Sequence, residues 1–148
     1  MSKWIPKFFV KRPDGGENSG VTAFFLIEWK AIFSIALLRF GQNTTRRNYH
    51  SHAFNAITWW LKGQVVEEIV KFGFLAMNGK YERTYFSQVY KPSLIPKQTP
   101  KESCHRICPS ETSWALTFRG PWNDKWYEFN PETDEITWLT YGREVIDL

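Results

Sequence analysis

The chain is short of several things, and each shortage excludes something. Its 148 residues include two cysteines and three histidines. Cys104 and Cys108 could close only one tiny loop, so there is no disulfide framework. The longest apolar runs, residues 21–27 and 31–38, are split by Glu28, Trp29 and Lys30. Neither reaches the ~20 residues that cross a bilayer as a helix. The first residues lack the apolar core and small-residue cleavage site of a signal peptide, so a soluble, cytoplasmic protein is expected. Gly15-Gly16 is not followed by Lys-Ser/Thr and a helix, which excludes a Walker-type phosphate loop. Helix signals are few, and no internal repeat or low-complexity tract is found.

Positive charge is present but not concentrated. The formal net charge is +4 and the isoelectric point about 9.1. Arg46, Arg47, Lys97, Lys101 and Arg106 are scattered among acidic residues. Nucleic-acid binders usually carry a clustered stripe, so there is no strong nucleic-acid signal. The balance suits a small anionic ligand, such as a nucleotide or a carboxylate.

Apolar and aromatic residues are abundant, at 43% and 18%, with eight tryptophans. This is the composition of one folded domain, taken as residues 1–148. A short strand is expected near the N-terminus, followed by a loop over residues 12–20. Strands are expected at 21–29 and 32–40, then one long strand over 48–61. Further strands are expected at 65–72 and 81–90, and short ones at 104–107, 113–118, 125–129 and 135–141. Residues 91–103 hold Pro92, Pro96 and Pro100, and are expected to be a rigid connection outside any ladder. Short strands so regularly punctuated predict an all-β sandwich or small barrel.

The three histidines fall in two places, His50-Ser51-His52 and His105. On a strand, residues i and i+2 share a face, so His50 and His52 can point into one cavity that His105 completes. Neutral imidazole is the commonest metal ligand. Cys104 and Cys108 flank His105 and could assist with zinc, or be two reduced, partly buried thiols. The tryptophans are expected mostly in core or rim, with Trp60 and Trp122 also able to form stacking walls for a ligand.

Arg47-Asn48-Tyr49-His50-Ser51-His52, with Gly63 eleven residues on, resembles the first motif of the cupin superfamily. That motif is His-x-His, usually a Glu four or five positions later, then a hairpin Gly. Pro100-Lys101-Glu102-Ser103-Cys104-His105 matches the Pro and His of the second motif, with Glu102 in its Gly place. Residues 50–55 and 60–63, Glu67-Glu68 and Arg119-Gly120-Pro121-Trp122 are similar to small cupin-like proteins of tailed bacteriophages. The resemblance implies a double-stranded β-helix, or jelly-roll barrel, with few or no helices and a metal in its mouth. It also implies pairing into homodimers.

Where the family has its Glu, this chain has Ala56 and Ile57, which cannot ligate. Two metal sets then follow from the resemblance. The favoured set is His50, His52 and His105, similar to cysteine dioxygenases. In the other, Glu67 or Glu68 restores the carboxylate of a two-histidine, one-carboxylate triad. The implied ion is divalent, Fe(II) first, with zinc, manganese or nickel as alternatives. Glu67 or Glu68 is the acid/base candidate, and Arg47 and Arg119 could clamp the ligand's anionic end. The implied function is a dioxygenase- or isomerase-like metal enzyme acting on a small polar or anionic substrate. The alternative is a non-catalytic phage cupin in the host cytoplasm, sequestering a nucleotide-like host signal or blocking a host defence protein.

Overall fold

Side chains that alternate between two faces set the architecture. The structure, a computed structural model, describes residues 3–16, 19–42 and 48–146. In chain order the strands are β1 (Lys7–Pro13), β2 (Val21–Trp29), β3 (Phe33–Phe40), β4 (Tyr49–His50), β5 (Ala56–Lys62), β6 (Val65–Leu75) and β7 (Tyr81–Tyr90). There follow β8 (Lys97–Thr99), β9 (Cys104–Pro109), β10 (Ser113–Arg119), β11 (Trp126–Asn130), β12 (Glu135–Thr140) and β13 (Glu144–Ile146). A single 3-10 turn, Tyr141–Arg143, is the only helical element among the described residues. None of them forms a helix long and apolar enough to cross a membrane.

The strands form two antiparallel sheets, ordered β1-β2-β3-β10-β5-β8 and β13-β12-β11-β4-β9-β6-β7. Phe25, Leu38, Phe40, Trp60 and Val65 pack at one end of the interior, with Ala23, Ala36 and Ala115 between them. Leu38 is opposite both Ala23 and Ala115, and Phe25 is opposite Ala36. Large against small on paired strands lets side chains interdigitate. Each large apolar side chain buried here stabilises by about 1.5–3 kcal/mol. Ala53, Phe54, Trp126 and Leu139 pack a second region of the interior. The tight turn from β5 to β6 needs Gly63, whose φ is +88°. A Cβ there would also lie 2.8 Å from the Ser113 Cα.

Two expectations are corrected. The single strand expected over 48–61 is broken, because the chain changes sheets. β4 pairs with β9 and β11, whereas β5 pairs with β8 and β10. The crossing residues are tied down individually. The Ser51 N–H donates to the Tyr127 carbonyl at 2.9 Å and the His52 N–H to the Lys101 carbonyl at 3.1 Å. Asn55 Oδ1 accepts from the Lys101 N–H at 2.8 Å. The connection over 91–103 is also not wholly outside the ladder. Between Pro96 and Pro100 it forms β8, at the edge of its sheet, where proline is tolerated.

Candidate metal centre

The change of sheet builds the centre. His50 on β4 lies directly opposite His105 on β9, and paired residues present side chains to the same face. His52 follows two residues later, past the end of β4, and turns in beside them. The three ring nitrogens lie within 4.8 Å of one another. Ring centroids are 4.8 to 5.0 Å apart, with interplanar angles of 68° to 81°. His105 Nε2 and His52 Nε2 are 3.3 Å apart, a spacing that suits two nitrogens about 2.0–2.1 Å from a shared ion.

Protonation suits ligation as well. Burial, reinforced by His105 and Arg119, holds His52 well below the usual histidine pKa, so its imidazole is neutral near pH 7. Its Nδ1 is buried without a hydrogen-bond partner. His105 Nδ1 donates to Glu67 Oε2 at 2.5 Å. A carboxylate can only accept, so Nδ1 carries a proton and Nε2 is the ring nitrogen turned toward His52. Three imidazoles are a donor set that suits iron, zinc and nickel. The residues fit a divalent ion.

Glu67 is fully buried on β6, and its Oε2 also accepts from Lys97 Nζ. Burial would raise its pKa, but His105 and Lys97 outweigh it, leaving the carboxyl below its ordinary value. Alternation thus turns Glu67 inward, where it stands behind His105 rather than within the histidine cluster. Glu68 points to the opposite face. There it accepts from Arg106 at 2.7 and 2.9 Å, from the Tyr49 hydroxyl at 3.1 Å and from Cys108 Sγ at 3.4 Å. The acid/base role considered for Glu68 is corrected: its carboxylate does not face the cavity.

The same alternation removes the thiols. Cys104 and Cys108 lie on the face of β9 opposite to His105. Cys104 is buried with Tyr49, Val70 and Phe129, and burial pushes its thiol up to about 12. Among the described residues, the possible metal group is His50, His52 and His105 without a cysteine.

The cavity between the sheets has a volume of about 260 Å³, and all three histidines line it. So do Trp60, Trp122 and Arg119. Trp60 packs on Phe40 and Tyr90, and Trp122 on Phe54 and Trp126. Arg119 is buried, and its two terminal nitrogens already donate to Asp14 at 3.2 and 2.6 Å. Burial raises the Asp14 pKa, yet Arg119 draws it below the ordinary carboxylate value. The fork expected to grip a ligand is therefore engaged within the protein. Arg47 lies outside the described residues.

Several charged cavity residues were given no role from the sequence, Asp14, Lys30 and Lys97 among them. Lys97 is hidden between two prolines, Asp14 sits among turn formers, and Lys30 reads only as an interruption of an apolar run. The one available signal was their charge.

No protein-family model matches this sequence, and no curated protein matches it either. The fold is nevertheless a known one: the chain adopts the all-β cupin fold. It is similar to a cupin superfamily sugar phosphate isomerase from Silicibacter pomeroyi, at a TM-score of 0.54 and 10% identity over 96% of this chain and 87% of that one. It is also similar to a single-residue variant of the oxalate decarboxylase of Bacillus subtilis, at a TM-score of 0.53 and 15% identity. That match covers 78% of this chain and 29% of the decarboxylase, so the chain spans less than a third of that protein. At such identities the likeness is one of fold. Neither is described as a phage protein.

Proposed function

We propose that this chain is a small mononuclear metal cupin whose cavity takes a small polar or anionic molecule. One observation carries the reading: three histidines from two places in the sequence converge in the cavity, with Glu67 accepting from the Nδ1 of one of them. His50, His52 and His105 would hold a divalent ion, Fe(II) first, with zinc, manganese or nickel as alternatives. Such an ion supplies Lewis-acid polarisation of a substrate oxygen and, for iron, a redox couple.

The chain's own residues do the rest. Glu67 and Lys97 fix the His105 ring. Trp60, Phe54 and Trp122 form an apolar wall that limits water, which strengthens polar interactions inside. The chemistry is dioxygenase- or isomerase-like.

A non-catalytic binding role is favoured by one specific feature. Each carboxylate lining the described cavity is held by a cation, Glu67 by Lys97 and Asp14 by Arg119. Neither is disengaged for general acid/base work. Sequestration of a host signal, the phage-type version of this reading, would appear as ligand retention without turnover.

Elemental analysis of the untagged protein tests the proposal, with His50→Ala and His105→Ala beside it. About one equivalent of metal in the parent, lost in both variants, is expected. A parent without metal even after reconstitution would overturn it.

A further inference from the structure

Four of the five Lys and Arg side chains on the cavity wall are matched to carboxylates. Arg12 is paired with Glu28, Lys97 with Glu67, Arg119 with Asp14 and Arg143 with Glu128. Lys30 is the fifth, and among the described residues no carboxylate stands within ion-pair distance of it. Its ammonium lies 4.5 Å from the Trp122 ring centroid and 5.9 Å from that of Tyr141. Burial lowers the Lys30 pKa, and Arg12 and Lys7 add to the effect against the pull of Glu28. A half-buried cation with no carboxylate in ion-pair contact is a group that an incoming anion would complete.

The wall also carries unused donors. The indole N–H groups of Trp60 and Trp122 and the Nε of Arg119 are buried without hydrogen-bond partners. Trp60 and Arg119 are themselves 7% and 5% exposed. Buried donors in native proteins nearly always find an acceptor. Two other cavity atoms are unpartnered, the Oε1 of Glu67, which can only accept, and the Nδ1 of His52, whose role follows its tautomer. The surplus is therefore one of donors and positive charge, and it calls for oxygen-rich, negatively charged matter.

An aromatic path links Lys30 to the histidines. Trp122 packs on Phe54 at 5.3 Å, and Phe54 on His52 at 5.4 Å. At about 260 Å³ the cavity is smaller than the ~300–1,000 Å³ typical for drug-sized ligands. We propose that the ligand is a metabolite-sized organic monoanion, its carboxylate on Lys30 and its remaining oxygens on the wall donors toward the histidine centre. This builds on the small-molecule reading of the cavity and names Lys30, not Arg119, as the anion anchor.

Calorimetric titration of the zinc-loaded protein with benzoate and pyruvate, each beside its neutral amide, tests this. The parent should prefer at least one carboxylate over its amide by about tenfold or more. Lys30→Met should abolish that preference, and Lys30→Arg should restore most of it. Lys30→Gln replaces the Met variant if that one loses its thermal transition. Equal binding of acid and amide, binding of neither acid at millimolar concentration, or a preference that survives Lys30→Met would each overturn the proposal. Zinc content is read separately. A Lys30-dependent preference in protein that holds no zinc would sink the metal reading and leave this one standing. Bound zinc without the preference would do the reverse.

Discussion

Glu67 and Glu68 are neighbours on one strand, and they show how differently the two faces of the second sheet are built. Glu67 is buried in the cavity, where Lys97 and His105 share one of its oxygens. Glu68 is half-buried outside, held by Arg106 and Tyr49 against an aromatic layer that includes Phe129. Tyr49 and His50 divide in the same way, as do Cys104 and His105. At these three positions the residue that meets the cavity is a histidine or its carboxylate support, and its neighbour joins the outer layer. In most two-layer β proteins the inner face is the apolar one. Here the inner face is apolar at its ends and polar in the middle, and that inversion marks the site.

The largest effect should come from removing the inner partner. Glu67→Ala leaves the Lys97 ammonium without its counter-charge and the His105 Nδ1 without its acceptor, at a cost of about 3–5 kcal/mol in stability. It should also weaken metal binding by about 10–100-fold, since His105 loses the group that sets its tautomer. Chemical denaturation and competitive chelation measure the two. Glu67→Gln, which keeps an acceptor but not the charge, should fall between parent and Ala variant.

A smaller effect concerns acid. The Asp14 pKa is lowered by its pairing with Arg119, so the pair's stabilisation is fully present above the unfolded carboxyl value. It is lost as the pH falls through the still lower folded value. The melting temperature should therefore drop below about pH 4, the ordinary Asp range. Asp14→Asn should be less stable near pH 7, with a shallower acid limb.

The smallest effect belongs outside. Glu68→Gln should cost about 1 kcal/mol or less, because that pair is partly solvated. Metal affinity should stay unchanged. A Glu68 variant that lost metal as severely as the Glu67 variant would break the contrast between the two faces.

Much of the fold was legible because alternation and punctuation are local. β2 and β7 have the expected limits, and the corresponding strand at 113–118 extends by one residue to Arg119. What was not legible depended on which sheet a segment joins. Residues 48–61 keep an alternating pattern through the crossing, so nothing in the pattern shows that the ladder changes at Ser51. The three prolines of 91–103 spoke against a ladder, yet three residues between two of them suffice for an edge strand. That short strand delivers Lys97, and with it the charge that holds Glu67. The histidines could be read as a group because they carry a rare chemistry. Their carboxylate support could not, because two adjacent glutamates face opposite ways and only the register with β9 decides which turns inward.

X-ray absorption at the metal edge of the zinc-loaded parent tests the three-histidine centre most directly. Three imidazole ligands at about 2.0–2.1 Å and no sulfur are expected. Fewer than three imidazoles, or a sulfur neighbour at about 2.3 Å, would contradict it.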